Sequence, residues 1–158
     1  MSKKMEKVEK INQSPSLAAE LSSCLSSTYV LAVQTLGCHW NVMGANFVSL
    51  HALFEEQYKE LLLASDEIAE RMRALGYVAP SSMGEFVKSS EITDETLPSS
   101  AKAMLKLLRK NNELASKVAG RVLAVAQEAG DEVTADIMIG RMTAHDKAAW
   151  MLGALLAE

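Results

Sequence analysis

Proline is scarce in this chain, three residues in 158, so little in the sequence forbids long runs of backbone i→i−4 hydrogen bonds. Cysteine is almost missing as well. Cys24 and Cys38 would stand on one helix about 21 Å apart, too far for a disulfide. They read as reduced, core-type residues of a cytoplasmic protein. Long apolar runs are absent too. The most apolar early stretch, YVLAVQTLGC, is too short and too interrupted to span a bilayer. The lysine-rich start runs into INQSPSLAAELSS, too polar for the core of a secretory signal. Nor is positive charge in excess. A net charge of −4 excludes nucleic-acid binding through the general surface and leaves only a local basic patch for it.

What is plentiful is alanine, leucine, methionine, glutamate and lysine, all good helix formers. The length fits one domain with a real core, and 49% hydrophobic with 23% charged residues describes a soluble globular chain. Residues 1–15, MSKKMEKVEKINQSP, form a polar tail with no sustained apolar face. From near Ser16 to about Met43, the residues Leu17, Leu21, Cys24, Leu25, Thr28, Ala32, Leu36 and His39 recur at helical steps. Gly44 breaks that helix and Asn46 is placed to cap the next. The second helix is expected over 47–75, with Phe54, Tyr58, Leu61, Ile68 and Met72 as its apolar face and Gly76 as its end. Pro80, Gly84 and Pro98 mark 77–98 as a long crossover with one short helix around 84–88. Ser99 or Ser100 caps a third helix that reaches Ala129. Gly130 closes it, and Asp131 or Glu132 opens a fourth running nearly to Glu158. Four long helices with the long link between the second and third predict an all-α, ferritin-like four-helix bundle over residues 16–158.

Chemistry gathers on the first two helices. His39 and His51 are symmetric about Ala45, so they face each other near the turn of a helical hairpin, where they can flank one metal ion. Along the second helix His51, Glu55, Asp66 and Glu70 fall within about 100° of arc. A solvated face is the ordinary reading of such carboxylates. The same side also carries Phe54, Tyr58, Leu62 and Ala69, which favours an interfacial polar cluster that must be paired or metal-bound. Glu55 and Asp66 lie about 16 Å apart along the axis and cannot share an ion within one chain. Two copies of this helix, antiparallel across a two-fold axis, would bring the ends together and give two equivalent sites. Carboxylates with a few imidazoles and no thiolate suit Fe(II), Mn(II) or Zn(II) better than Cu(I).

The pattern His39-Trp40-Asn41, Gly44, His51, Glu55, Asp66 and Glu70 resembles the Dps family of mini-ferritins, the DNA-binding proteins of starved cells. The likeness continues through Gly130-Asp131-Glu132, Thr134-Ala135-Asp136 and RMTAHDKAAWML, and covers residues 16–156. It implies a hollow dodecamer that oxidises Fe(II) with hydrogen peroxide at two-fold interfaces, stores ferric mineral and protects the cell and its DNA. Carried over by position, His39, His51 and Glu55 belong to one subunit of each ferroxidase site, and Asp66 and Glu70 to its neighbour. Glu55 departs from the aspartate of many members, keeping the charge and lengthening the reach. No histidine has a glutamate three residues before it, so the intrasubunit layout of ordinary ferritin cores is excluded.

Other residues carry plainer readings. Trp40 packs at the interface, His145 is structural, and Glu56 is either solvated or facing the cavity. Asp131, Glu132 and Asp136 most economically stabilise a helix N-terminus; the resemblance implies that they also line a three-fold pore attracting Fe(II). Lys3, Lys4, Lys7 and Lys10 offer a DNA contact, weakened by Glu6 and Glu9 among them. Two other classes of function stand beside the iron-storing shell: a DNA-compacting protein with a vestigial metal site, and a plain helical scaffold.

Overall fold

The computed structural model describes residues 15–157, and the expected polar tail falls almost wholly outside them. The described residues form helices joined by turns and loops, with no strand. Helix α1 spans Pro15–Asn41, α2 Phe47–Ala74, α3 Met83–Ser89, α4 Ala101–Ala129 and α5 Glu132–Ala154. This is the all-α, ferritin-like bundle, with the short α3 carried in the crossover.

The ends follow local chemistry. Proline costs nothing in the first turn of α1, where its missing N–H would have no partner. At the corner after α1, Gly44 takes φ 116° and Gly76 after α2 takes φ 86°, both in the region that favours glycine. Asn46 occupies the N-cap position of α2, but its side chain makes no capping bond, contrary to the sequence expectation. Ser100 does cap α4, accepting from the Ala103 amide, and Gly130 closes it with left-handed backbone. Asp131 then caps α5 through the Thr134 amide. That helix stops at Ala154, earlier than expected.

Packing is densest within the hairpins α1–α2 and α4–α5, and α1 against α4 joins them, while α2 and α5 touch only lightly. One core cluster gathers Leu17, Leu21, Leu25, Ile68, Met72, Val122 and Met138. The other gathers Leu31, Val42, Leu50, Phe54, Leu61, Leu108 and Leu152. Between them the buried residues of α4 and α5 turn polar, with Asn111, Asn112, Arg141 and His145. The crossover is strapped along α1. Phe86 stacks on Tyr29 at 4.3 Å between centroids, and Gln34 Nε2 donates to the Thr93 carbonyl at 2.8 Å. Gly37 makes room for the strap: a Cβ there would lie 2.4 Å from Leu97 Cδ1.

Candidate metal centre

The corner between α1 and α2 sets two imidazoles face to face. The rings of His39 and His51 stack with centroids 3.8 Å apart and planes 18° from parallel. His39 Nδ1–H donates to the His51 carbonyl at 2.8 Å, and His51 Nδ1–H donates to the His39 carbonyl at the same distance. A carbonyl can only accept, so this reciprocal pair fixes the tautomer of the neutral rings: Nδ1 carries the proton and Nε2 is the atom with the lone pair. A ring nitrogen oriented by a backbone carbonyl on its other side is the usual preparation of a metal-binding histidine. Phe47 stacks on His51 at 5.0 Å and Tyr58 leans on His39 at 5.4 Å, which fixes the rings from both ends.

Glu55 stands one turn beyond His51, half-exposed. Its Oε1 accepts from Lys59 Nζ. That hydrogen bond and the lysine's charge hold the Glu55 carboxyl below its ordinary range, and the two nearby histidines add to the effect. Cys38, though adjacent to His39, does not join a donor set. Burial pushes its thiol up to about 12, so it stays protonated at neutral pH. Both cysteines are free and buried.

His39, His51 and Glu55 are thus drawn to one corner, whereas Asp66 and Glu70 are not. The latter two are exposed further along α2, in a surface groove shared with Glu60, Leu63, Glu67 and Arg141. Among the described residues of a single chain, no three histidine, cysteine or acidic side chains gather closely enough to hold a metal ion. Apolar side chains lie open around the candidates: Trp40 is 68% exposed and Val48 78%, with Phe47, Leu62 and Leu63 also uncovered.

The pore candidates divide. Asp131 is buried, caps α5, and receives Arg71 Nη2 at 2.7 Å. Burial alone would raise its carboxyl, but the Thr134 hydroxyl and amide and the Arg71 charge outweigh it and hold the group low. Its carboxylate is a structural one. Glu132 and Asp136 are exposed on the first turns of α5. Glu56 is exposed at the shallow cleft between α2 and α5, beside Gln57, Glu60 and Lys147. Lys3, Lys4, Lys7 and Lys10 lie outside the described residues.

His145 sits elsewhere, in the polar layer of the core. Arg141 Nη2 donates to its Nε2 at 3.3 Å, and its Nδ1–H donates to Asn112 Oδ1 at 3.0 Å. Arg141 also pairs with Glu60, so the chain of contacts ties α2, α5 and α4 together. Sequence reading had no signal for the Asn112 and Arg141 partners, nor for Arg71 on Asp131. Lys59 has a sequence signal, standing one helical turn past Glu55.

Comparison with known proteins concerns the chain as a whole. A family profile for the ferritin-like domain matches residues 18–158. The DNA protection during starvation protein 2 of Bacillus anthracis is 35% identical over 129 residues, covering 82% of this chain and 88% of that protein. The crystal structure of Dps from Staphylococcus aureus superposes with a TM-score of 0.86 at 32% identity, covering 90% of this chain and 95% of that one. The Dps protein of Vibrio cholerae O1, described as a member of a broad superfamily of ferritin-like diiron-carboxylate proteins, gives 0.87 at 31% identity. It covers 95% and 92% of the two chains.

Proposed function

Because this chain belongs to the ferritin-like family and, within it, to the Dps proteins, we propose that it oxidises Fe(II) and stores the ferric product inside a closed shell of its own copies. Iron is substrate and cargo here. The observation that carries the reading is the His39–His51 pair, with both Nδ1 atoms engaged by backbone carbonyls and both Nε2 lone pairs left for a ligand. Glu55 adds a carboxylate at the same corner, and the donor set of imidazole and carboxylate fits Fe(II).

The other half of each site comes from a neighbouring subunit, through the partner's Asp66 and the partner's Glu70. Two antiparallel copies of α2 that set Glu55 level with the partner's Asp66 also set His51 level with the partner's Glu70. Both pairings share one midpoint, between Glu60 and Leu61, as a single two-fold axis requires. Leu62, 40% exposed on the same stripe, and the open Trp40, Phe47 and Val48 supply the apolar surface such an interface needs. Twelve copies in tetrahedral symmetry close the shell, with Glu132 and Asp136 drawing Fe(II) to a three-fold pore by their charge. The reading includes a cytoplasmic location, which two free, buried thiols support. A helix long and apolar enough to cross a membrane is absent from the described residues.

At each site two ferrous ions give one electron apiece to hydrogen peroxide. The O–O bond breaks, two protons are taken up and two waters leave, so no hydroxyl radical is released. The protein's part is to hold the two ions together and surround them with carboxylate charge, which favours the ferric product. The test is Fe(II) loss under argon with measured peroxide, beside the mass of the assembly. Two irons oxidised per peroxide by a twelve-chain particle is the expected result. A rate no greater than that of His51→Ala would sink the proposal.

A further inference from the structure

Six acids and one cation occupy the stretch from His51 to Glu70. The acids are Glu55, Glu56, Glu60, Asp66, Glu67 and Glu70, and the cation is Lys59. Glu60 is neutralised from α5 by Arg141. Lys59 is the cation that meets Glu55, with Nζ donating to Glu55 Oε1. On a helical projection it falls inside the about 100° arc that holds His51, Glu55, Asp66 and Glu70, so it points with the site and not away from it. It also lies only about 2 Å along the axis from the midpoint between Glu60 and Leu61, where the proposed two-fold crosses. Assembly would therefore enclose Lys59 between Glu55 and the partner's Asp66.

We propose that Lys59 is the resident cation of the iron site: it neutralises Glu55 and the partner's Asp66 in the iron-free shell and must swing away when a divalent ion binds. The proposal rests on the shared-site reading above. In the free chain both members of the pair are well exposed, with side chains 59% and 41% accessible, and such a pair by itself is weak. The larger effect comes from charge standing beside the metal. A unit positive charge about 6 Å from a divalent ion in a water-like medium costs roughly tenfold in affinity. Lys59 thereby sets a threshold of iron concentration, below which the site stays closed by its own ammonium group.

Cobalt(II) is the probe, because it reports its ligands by visible absorption and is not turned over under argon. Titrated into the assembled shell, Lys59→Met should bind Co(II) about tenfold more tightly than the unaltered protein at low ionic strength. Lys59→Arg should bind as the unaltered protein does, and the gain should shrink at high salt. The double variant Glu55→Gln with Lys59→Met should still bind Co(II) more tightly than Glu55→Gln alone, because the ammonium acts on the metal directly through space. Should Lys59→Met fail to assemble, Lys59→Gln carries the same expectation. A Lys59→Met affinity within twofold of the unaltered shell's, with Co(II) clearly bound by that shell, overturns the role given to Lys59. A shell whose cobalt spectrum is the same with and without His51→Ala overturns the iron site itself, and Lys59's role falls with it.

Discussion

His145 and the pair His39–His51 belong to the same small bundle, and all three are buried or half-buried, but their ring nitrogens are employed differently. His145 has both occupied, one accepting from Arg141 and one donating to Asn112. His39 and His51 each have one occupied by a backbone carbonyl, and the other is left with a lone pair. Burial and the Arg141 charge push the His145 imidazole down to about 3, so it stays neutral and serves as a rivet between helices. On the proposed reading, what separates a structural histidine from a ligand is whether a second nitrogen remains unengaged beside a carboxylate.

The comparison breaks most visibly at the pair. His51→Ala should lower peroxide-dependent Fe(II) oxidation roughly a hundredfold or more, since even outer-sphere losses in metal sites reach that scale. Asp66→Ala should do the same. Unfolded, mixed in equal amounts and refolded, the two variants should regain about a quarter of the native sites, because half of random dimers are mixed and each mixed dimer holds one intact site. Mixed shells that form and stay inactive would show that the site is not shared.

At the other histidine the effect falls on stability and not on activity. His145→Ala should leave the oxidation rate of folded shells unchanged, yet cost about 2–4 kcal/mol of stability by stranding Asn112 and Arg141 and leaving a cavity. Chemical denaturation of matched preparations measures it. The ordinary imidazole value is 6.5, so the unfolded chain takes up a proton there and the folded chain does not. His145's contribution is whole above about 6.5 and is lost as pH falls toward 3. His145→Gln should flatten that part of the stability–pH curve; an unchanged slope would mean the imidazole is not held neutral.

Two of the three acids at the start of α5 sharpen the same contrast on a smaller scale. Asp131→Asn should cost about 1–2 kcal/mol through the weakened cap and the Arg71 pair. Asp136→Asn should leave stability alone and slow Fe(II) uptake a few-fold at low ionic strength. Equal effects on uptake would return Asp131 to the pore. The smallest effect belongs to the tail. Deleting residues 1–12 should abolish whatever DNA retention the shell shows in a gel at low salt, with oxidation unaffected. Retention that survives the deletion would remove Lys3, Lys4, Lys7 and Lys10 from that role.

Much of this was legible because local rules produced it. Gly44, Gly76, Gly130 and Ser100 end or begin helices by conformations and bonds that depend only on near neighbours. The facing of His39 and His51 followed from their symmetry about the Ala45 turn. Asn46 misled because its backbone, at φ −96° and ψ 19°, is not the extended one from which a side chain usually caps a helix, and the sequence does not encode that turn. The end of α5 was overrun because no glycine or proline lies between Ala154 and Glu158. Arg71 on Asp131 and Arg141 on Glu60 stayed hidden for a different reason: each joins residues sixty or more positions apart, and charge pattern along a helix says nothing about which distant helix will meet it.

The two crossed hydrogen bonds at the α1–α2 corner also have a place in time. They join residues only twelve positions apart, and closing a loop of that length takes on the order of 10–100 ns, far less than docking subunits. A newly made chain can hold its imidazoles in register as soon as the first hairpin forms, before it has met another copy. On the shared-site reading, the remaining carboxylates arrive only with assembly. Iron encountered in that interval meets, among the described residues, no three histidine, cysteine or acidic side chains close enough to hold it, so on this reading oxidation waits for the second copy.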